Sequence, residues 1–202
     1  MITTVFLRKY LSEDVNMVIS EINNNIDLIL KEIDRILVSV KQKEADSLIK
    51  AILQAKKVVL VGSGRMGLVS KAFSMRLSHL GFSSSCLGDS NVPNIGKGDL
   101  VIVASGSGET QTIYNLAKIA KQSKASVFLI TANPRSRIGK LADGLVIIKA
   151  PTKFDRKTKS IQPMTTLNEQ CLGIFYDAIV LMLMKRLKKT HASMWKKHSN
   201  LE

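Results

Sequence analysis

The chain has 202 residues, a mass of 22.3 kDa, 45% apolar and 5% aromatic content, and a formal net charge of +14. That length holds one α/β domain with a proper core but not a dinucleotide domain plus a separate substrate domain, and an apolar content drawn from Ile, Leu, Val and Ala suits a globular protein. No apolar run reaches the roughly 18 residues a membrane span needs, and the opening MITTVFLRKYLSEDVNMV lacks a sustained apolar stretch and a small-residue cleavage site, so a cytoplasmic protein is expected.

Residues before about Met17 fit no element, and residues 1–21 are read as an N-terminal extension to a single domain over 22–202. Val18, Ile22, Ile26, Ile29, Ile33, Ile36 and Val40 recur at steps of three and four, which predicts a long amphipathic helical arm. Its narrow apolar seam suits an oligomer contact. A shorter helix built on Ala45, Leu48, Ile49 and Ile52 leads to the strand VVLVG. A helix over Met66 to Leu80 comes next, then SSCLG, DLVIVAS, a helix over Thr110 to Gln122, SVFLIT, a short helix near Ile138 to Ala142, and GLVIIK. Five β-branched strands separated by helices imply a parallel sheet covered on both faces, of flavodoxin-like type with strand order 2-1-3-4-5. The last long element, roughly Thr166 to Leu187, is apolar around much of its circumference and should be buried against the sheet or another subunit. Beyond it, KRLKKTHASMWKKH at 185–198 concentrates positive charge without interleaved aromatics or a helix-turn-helix. A solvated basic face is expected there rather than a nucleic-acid surface, with a field that helps gather a phosphorylated substrate. Cys86 and Cys171 show no metal-ligand spacing and read as two reduced, buried thiols.

Two glycine loops carry the chemistry. The first strand runs into Gly62, Gly64 and Gly67, the G-x-G-x-x-G dinucleotide fingerprint, with Asp89 about where an acidic ribose ligand would stand. The third strand runs into SGSGET, whose Ser105, Ser107 and Thr110 have no role in that fingerprint. Adjacent first and third strands would open both loops into one crevice, where a helix N-terminus and hydroxyl donors favour a phosphate monoester. Ser63, Ser105, Gly106, Ser107 and Thr110 are then the candidate phosphate ligands, with Gly62 and Gly64 shaping the approach. Simple capping of a helix by the same hydroxyls, and an NAD-dependent enzyme, remain as alternatives.

Those hydroxyls match the Ser-x-Ser-x-x-Thr pattern of the sugar isomerase (SIS) domain family, which the chain resembles. GSGRMGLVSKAFSMRLSHLGF at 62–82, SGSGET, TANPRSRIGKLAD at 131–143, IQPMTTLNEQ at 161–170 and the terminal KHSNLE are similar, in order, to the 6-phospho-3-hexuloisomerases. The resemblance implies a single SIS domain that interconverts 3-hexulose 6-phosphate and fructose 6-phosphate through an enediol, with neither cofactor nor metal. It also implies a homotetramer and a place in the ribulose monophosphate route of formaldehyde fixation beside 3-hexulose-6-phosphate synthase. Glu169 matches the family's helix glutamate and is the candidate base, although Thr166-Leu-Asn-Glu169 is equally a capping-box sequence. His198 is the leading group for shuttling the hydroxyl proton, across a shared intersubunit site. Arg65 would stabilise an enediolate or the phosphate. His79 more simply packs within its helix, and Glu109 more simply favours its own helix N-terminus. Met66, Asn91, Thr165 and Asn168 depart from the family's usual Ser, Thr, Gly and Phe. An isomerase for another sugar phosphate, or a catalytically silent sugar-phosphate sensor, are the rivals within the superfamily.

Overall fold

Alternation along the strands decides which side chains meet which helices. In the computed structural model, which describes residues 20–153 and 159–201, five strands form one parallel sheet. They are β1 (Val58–Gly62), β2 (Ser84–Cys86), β3 (Leu100–Ala104), β4 (Ser126–Thr131) and β5 (Gly144–Ile147), in the expected order β2-β1-β3-β4-β5. On one face Val58, Leu60, Leu100, Ile102, Phe128 and Ile130 join the larger core. Their neighbours Val59, Val61, Val101, Val103, Val127 and Leu129 turn to the other face. Both faces are buried, so the strands read as near-continuous apolar runs.

The helices divide unevenly between those faces. α1 (Glu21–Leu37), α2 (Gln42–Gln54), α3 (Arg65–Leu80) and α5 (Thr166–Leu187) pack on the larger core, and α4 (Gln111–Gln122) covers the other face through Ile113, Ala117 and Ala120. Phe73 of α3 stacks on Tyr176 of α5 with ring centroids 4.0 Å apart. By length and composition alone α5 would pass as a membrane span, but more than half of its apolar stretch is buried inside the domain. That is the burial expected of this element, because a core helix wrapped by its own protein needs an apolar surface all round.

Four other expectations change in detail. The arm helix begins after Ser20, whose side chain accepts from Asn23 N, and ends at Leu37 rather than Val40. Just past that end, Ser39 Oγ donates to Ile36 O at 2.7 Å and turns the chain away, while Val18 lies outside the described residues. The seam also splits: Ile33 and Ile36 belong to the core, whereas Ile22 and Ile26 are exposed, as is Leu30 outside the seam. The segment 138–142 is a turn, not a short helix, because Ser136 Oγ takes the Gly139 amide and Asp143 Oδ2 takes the Val127 amide, drawing the chain into β5. The basic stretch contains one further helix, α6 (His191–Trp195), the sixth among the described residues, started by a capping box between Thr190 and Ser193.

Candidate active site

The β1–β3 register places Gly62 opposite Ala104, so both glycine loops leave the sheet side by side at its carboxyl edge. Gly62 and Gly67 are needed for contact: a Cβ on Gly62 would lie 2.9 Å from Gly67 N, and one on Gly67 would lie 2.8 Å from Gly62 O. Strand and helix therefore touch backbone to backbone, and α3 starts at Arg65 at the mouth of a cleft of about 340 Å³. Its walls bring together Ser63, Gly64 and Arg65 from the first loop, Ser105, Gly106, Ser107 and Thr110 from the second, and Glu169 from the first turn of α5.

Ser105 and Ser107 are buried, and their side-chain oxygens accept from Gly108 N and Glu109 N, both at 3.2 Å. With the oxygens so engaged, each hydroxyl keeps its proton to donate to a ligand. Thr110 is the N-cap of α4, makes no side-chain capping bond, and lines the cleft beside the positive end of that helix. The hydroxyls thus brace the loop and do not simply cap the helix.

Glu169 is only 8% exposed and is held from two sides. Arg65 Nε lies 3.2 Å from Oε2, and Thr165 Oγ1 donates to Oε1 at 2.7 Å. Arg65 Nη1 also donates to Thr166 Oγ1 at 3.0 Å. The alternative reading of Thr166-Leu-Asn-Glu169, a capping box, is not what forms. The helix starts one residue earlier than the motif assumes, with Thr165 as N-cap, so Glu169 falls past the third helical position and its carboxylate turns to the cleft. Asn168, buried beside it, packs its amide against Gly106.

Other candidates stand elsewhere. Glu109 does not line the cleft and does not serve its own helix N-terminus. Arg137 draws it outward, with Nε to Oε2 at 2.7 Å and the Arg137 amide to Oε1 at 2.9 Å. These bonds hold the Glu109 carboxyl below its ordinary value. Arg137 also donates to Glu109 O and Gln111 Oε1 and lies over the Tyr114 ring, so it fastens the second loop from outside. Asp89 pairs with Lys71 at 2.7 Å and accepts from Cys86 N, and does not line the cleft. His79 is buried near the C-terminal end of α3 and His198 stacks on Trp195, with the two histidine rings 5.4 Å apart. Arg65 begins that same helix, so at about 1.5 Å per residue roughly 20 Å of α3 separates the histidines from the cleft within one chain. Among the described residues, no group of three or more His, Cys, Asp or Glu is placed to hold a metal.

Thr152, Lys153, Met164 and Thr166 also line the cleft, and no sequence motif marks them as ligands. The topology does carry a signal for them. The chain leaving β5 emerges at the same carboxyl edge as the two loops, and a lysine six residues past that strand is well placed to meet an anion.

Comparison with known proteins matches residues 51–173 to the SIS domain family. A 3-hexulose-6-phosphate isomerase of Bacillus subtilis is 40% identical over 178 residues, covering 86% of this chain and 95% of the relative. The isomerase of the same name from Mycobacterium gastri is 35% identical over 189 residues, covering 93% and 95%. Among solved structures, a hypothetical protein of Methanococcus jannaschii, whose structure was taken to infer a 3-hexulose-6-phosphate isomerase function, superimposes with a TM-score of 0.78. It shares 32% identity and covers 89% of this chain and 99% of its own.

Proposed function

The chain belongs to the SIS domain family, and from that premise we propose that this sugar-phosphate isomerase interconverts 3-hexulose 6-phosphate and fructose 6-phosphate. The observation that carries the proposal is a buried carboxylate, Glu169, held by Arg65 and Thr165 in a cleft that is also lined by the hydroxyl-rich loop of Ser105, Ser107 and Thr110. Ser63, Ser105, Gly106, Ser107 and Thr110 take the phosphate, and the N-terminus of α4 favours its charge. With the phosphate fixed, C2 and C3 of the sugar come within reach of one base. Glu169 removes the C2 proton, the C3 carbonyl becomes the enediolate oxygen, and Arg65 offsets the developing charge. Return of the proton to C3, with transfer of the O2 proton to O3, leaves the carbonyl at C2. Electrons and protons balance within the sugar, so the reaction calls for no cofactor.

The hydroxyl proton needs a carrier, for which His198 is the choice, with His79 beside it. The separation along α3 means that either would serve the cleft of a neighbouring subunit. Exposed Ile22, Ile26 and Leu30 on α1 support such an assembly, proposed to be a tetramer. The substrate would come from 3-hexulose-6-phosphate synthase, in the ribulose monophosphate route. The test generates 3-hexulose 6-phosphate with that synthase from formaldehyde and ribulose 5-phosphate and monitors fructose 6-phosphate. Product that depends on this chain is expected, and Glu169→Gln should retain substrate binding while losing most turnover. Wild-type turnover in that variant would remove Glu169 as the base. Because Asn168, Thr165 and Met66 all line the cleft, a panel of pentose and heptose phosphates decides the case if the hexulose is not turned over.

A further inference from the structure

The catalytic scheme uses the arm only as a contact between subunits, yet a carboxylate on the arm grips the segment that enters α5. Glu32 of α1 accepts three hydrogen bonds from residues far along the chain. Ser160 Oγ donates to Oε2 at 2.7 Å, Ile161 N to Oε1 at 3.1 Å, and Gln162 Nε2 to Oε2 at 3.3 Å. Gln162 N donates back to Ser160 Oγ at 3.0 Å, which closes the segment into a compact turn. Arg35 Nη2 stands 3.9 Å from Oε1, and the Glu32 side chain is 11% exposed. Burial works against the charge. The bonds from Ser160, Ile161 and Gln162, with Arg35, outweigh it and hold the carboxyl below its ordinary value.

Beyond this turn the chain forms the rim of the cleft. Pro163 has a ring-fixed φ, and its carbonyl accepts from Thr166 N at 3.2 Å. Met164 is held at a φ of 56°. Next stand Thr165 and Thr166, the partners of Glu169 and Arg65. Only Pro163 and Met164 separate the residues that Glu32 holds from those that hold the base. A stiff two-residue link passes a displacement on rather than absorbing it.

We propose that Glu32 is a positioning residue for the isomerase site: by fixing residues 160–162 it sets Thr165 and Thr166, and through them the orientation of Glu169 and Arg65. This rests on Glu169 being the base. It also gives the arm a role besides the burial of Ile33 and Ile36 in the core.

The test uses the full-length protein with Glu32→Ala and Glu32→Gln. For Glu32→Ala, kcat is expected to fall roughly ten- to hundredfold, the range that a small misplacement of a catalytic group produces. Affinity for inorganic phosphate, read by the 105–110 loop that Glu32 does not touch, should stay within about twofold of wild type, a margin well under 1 kcal/mol. Glu32→Gln keeps the shape and one acceptor oxygen and should recover part of kcat. Amide exchange should accelerate across 161–169 and not across 105–110. A Glu32→Ala protein with wild-type kcat overturns the proposal. So does one whose kcat, phosphate affinity and melting temperature all fall together, which would mark a general loss of structure. If the wild-type protein does not turn over the hexulose phosphate, the catalytic reading fails on its own, and exchange at 161–169 still decides whether Glu32 holds the rim. Should the alanine variant not fold, Ser160→Ala, which removes one of the three donors, is expected to lower kcat with the same pattern of exchange, and unchanged exchange there overturns the proposal.

Discussion

Gly108 offers the sharpest test of how the phosphate loop is built. It sits at a φ of 64°, and a Cβ there would lie 2.0 Å from Ser136 Oγ and 2.5 Å from Ser136 Cβ. Ser136 cannot simply move aside, since it is 1% exposed and its Oγ accepts the Gly139 amide at 3.1 Å. For Gly108→Ala the left-handed backbone costs about 1–2 kcal/mol. Forcing a methyl into an already packed site adds about 1–3 kcal/mol. A domain of this size loses about 2–4 °C of melting temperature per kcal/mol, so a fall of roughly 5–20 °C is expected by thermal unfolding. Phosphate affinity should weaken as well, because Gly108 N is the donor that fixes Ser105 Oγ. Adding Ser136→Gly removes the obstructing atoms but not the backbone strain. The double variant should therefore recover the packing share and keep the conformational one, a coupling of about 1–3 kcal/mol. A Gly108→Ala protein that melts within about 2 °C of wild type would refute the reasoning.

Three further outcomes are expected. Glu32 and Asp89 both hold their carboxyls below the ordinary values of 4.5 and 3.8, Glu32 against its burial and Asp89 through Lys71 and the Cys86 amide. The folded state thus prefers the carboxylates, and the unfolded chain binds more protons as pH falls through this range. Their stabilisation is complete above the ordinary values and disappears below the lowered ones, so urea midpoints should drop from about pH 5 downward, and less steeply in Lys71→Ala. Burial raises both thiols, Cys171 to about 11, so iodoacetamide at about pH 8 should label neither in the native protein and both in denaturant. Ile26→Glu should reduce the assembly mass measured by light scattering while leaving the circular dichroism of the domain intact, and an unchanged mass would dismiss the arm as the contact.

Strands were legible because burial on both faces leaves no polar alternation to confuse with a helix, and because Gly and Pro mark where each one stops. Helix ends were less so, since they depend on side chains competing for backbone groups. Ser39 and Ser136 each divert an amide or a carbonyl that a periodicity count assumes is available. α6 was hidden for the opposite reason. Five residues with little apolar pattern give no period, and only the Thr190–Ser193 capping box starts them.

The site shows the same limit from another side. Glycines and hydroxyls at strand ends are visible because topology requires the two loops to meet, whatever the side chains do. Glu169 is different, because capping and catalysis ask for the same residue types at nearly the same spacing. What rules out the capping box is a single position in where the helix begins, Thr166 after N-cap Thr165, at the end of the turn through Pro163 and Met164. A local motif cannot report that the segment entering this helix is bonded to Glu32, 128 positions before Ser160. The same holds for His198, whose place beside His79 depends on α6 folding back on the far end of α3. A proton carrier there can reach a cleft only if the assembly brings one chain's α3 terminus to another chain's glycine loops. Mixing Glu169→Gln with His198→Ala subunits tests this directly. If sites are shared, some clefts in the hybrid combine an intact Glu169 with an intact His198 and turnover returns; if each chain is self-sufficient, every cleft keeps one lesion and none does.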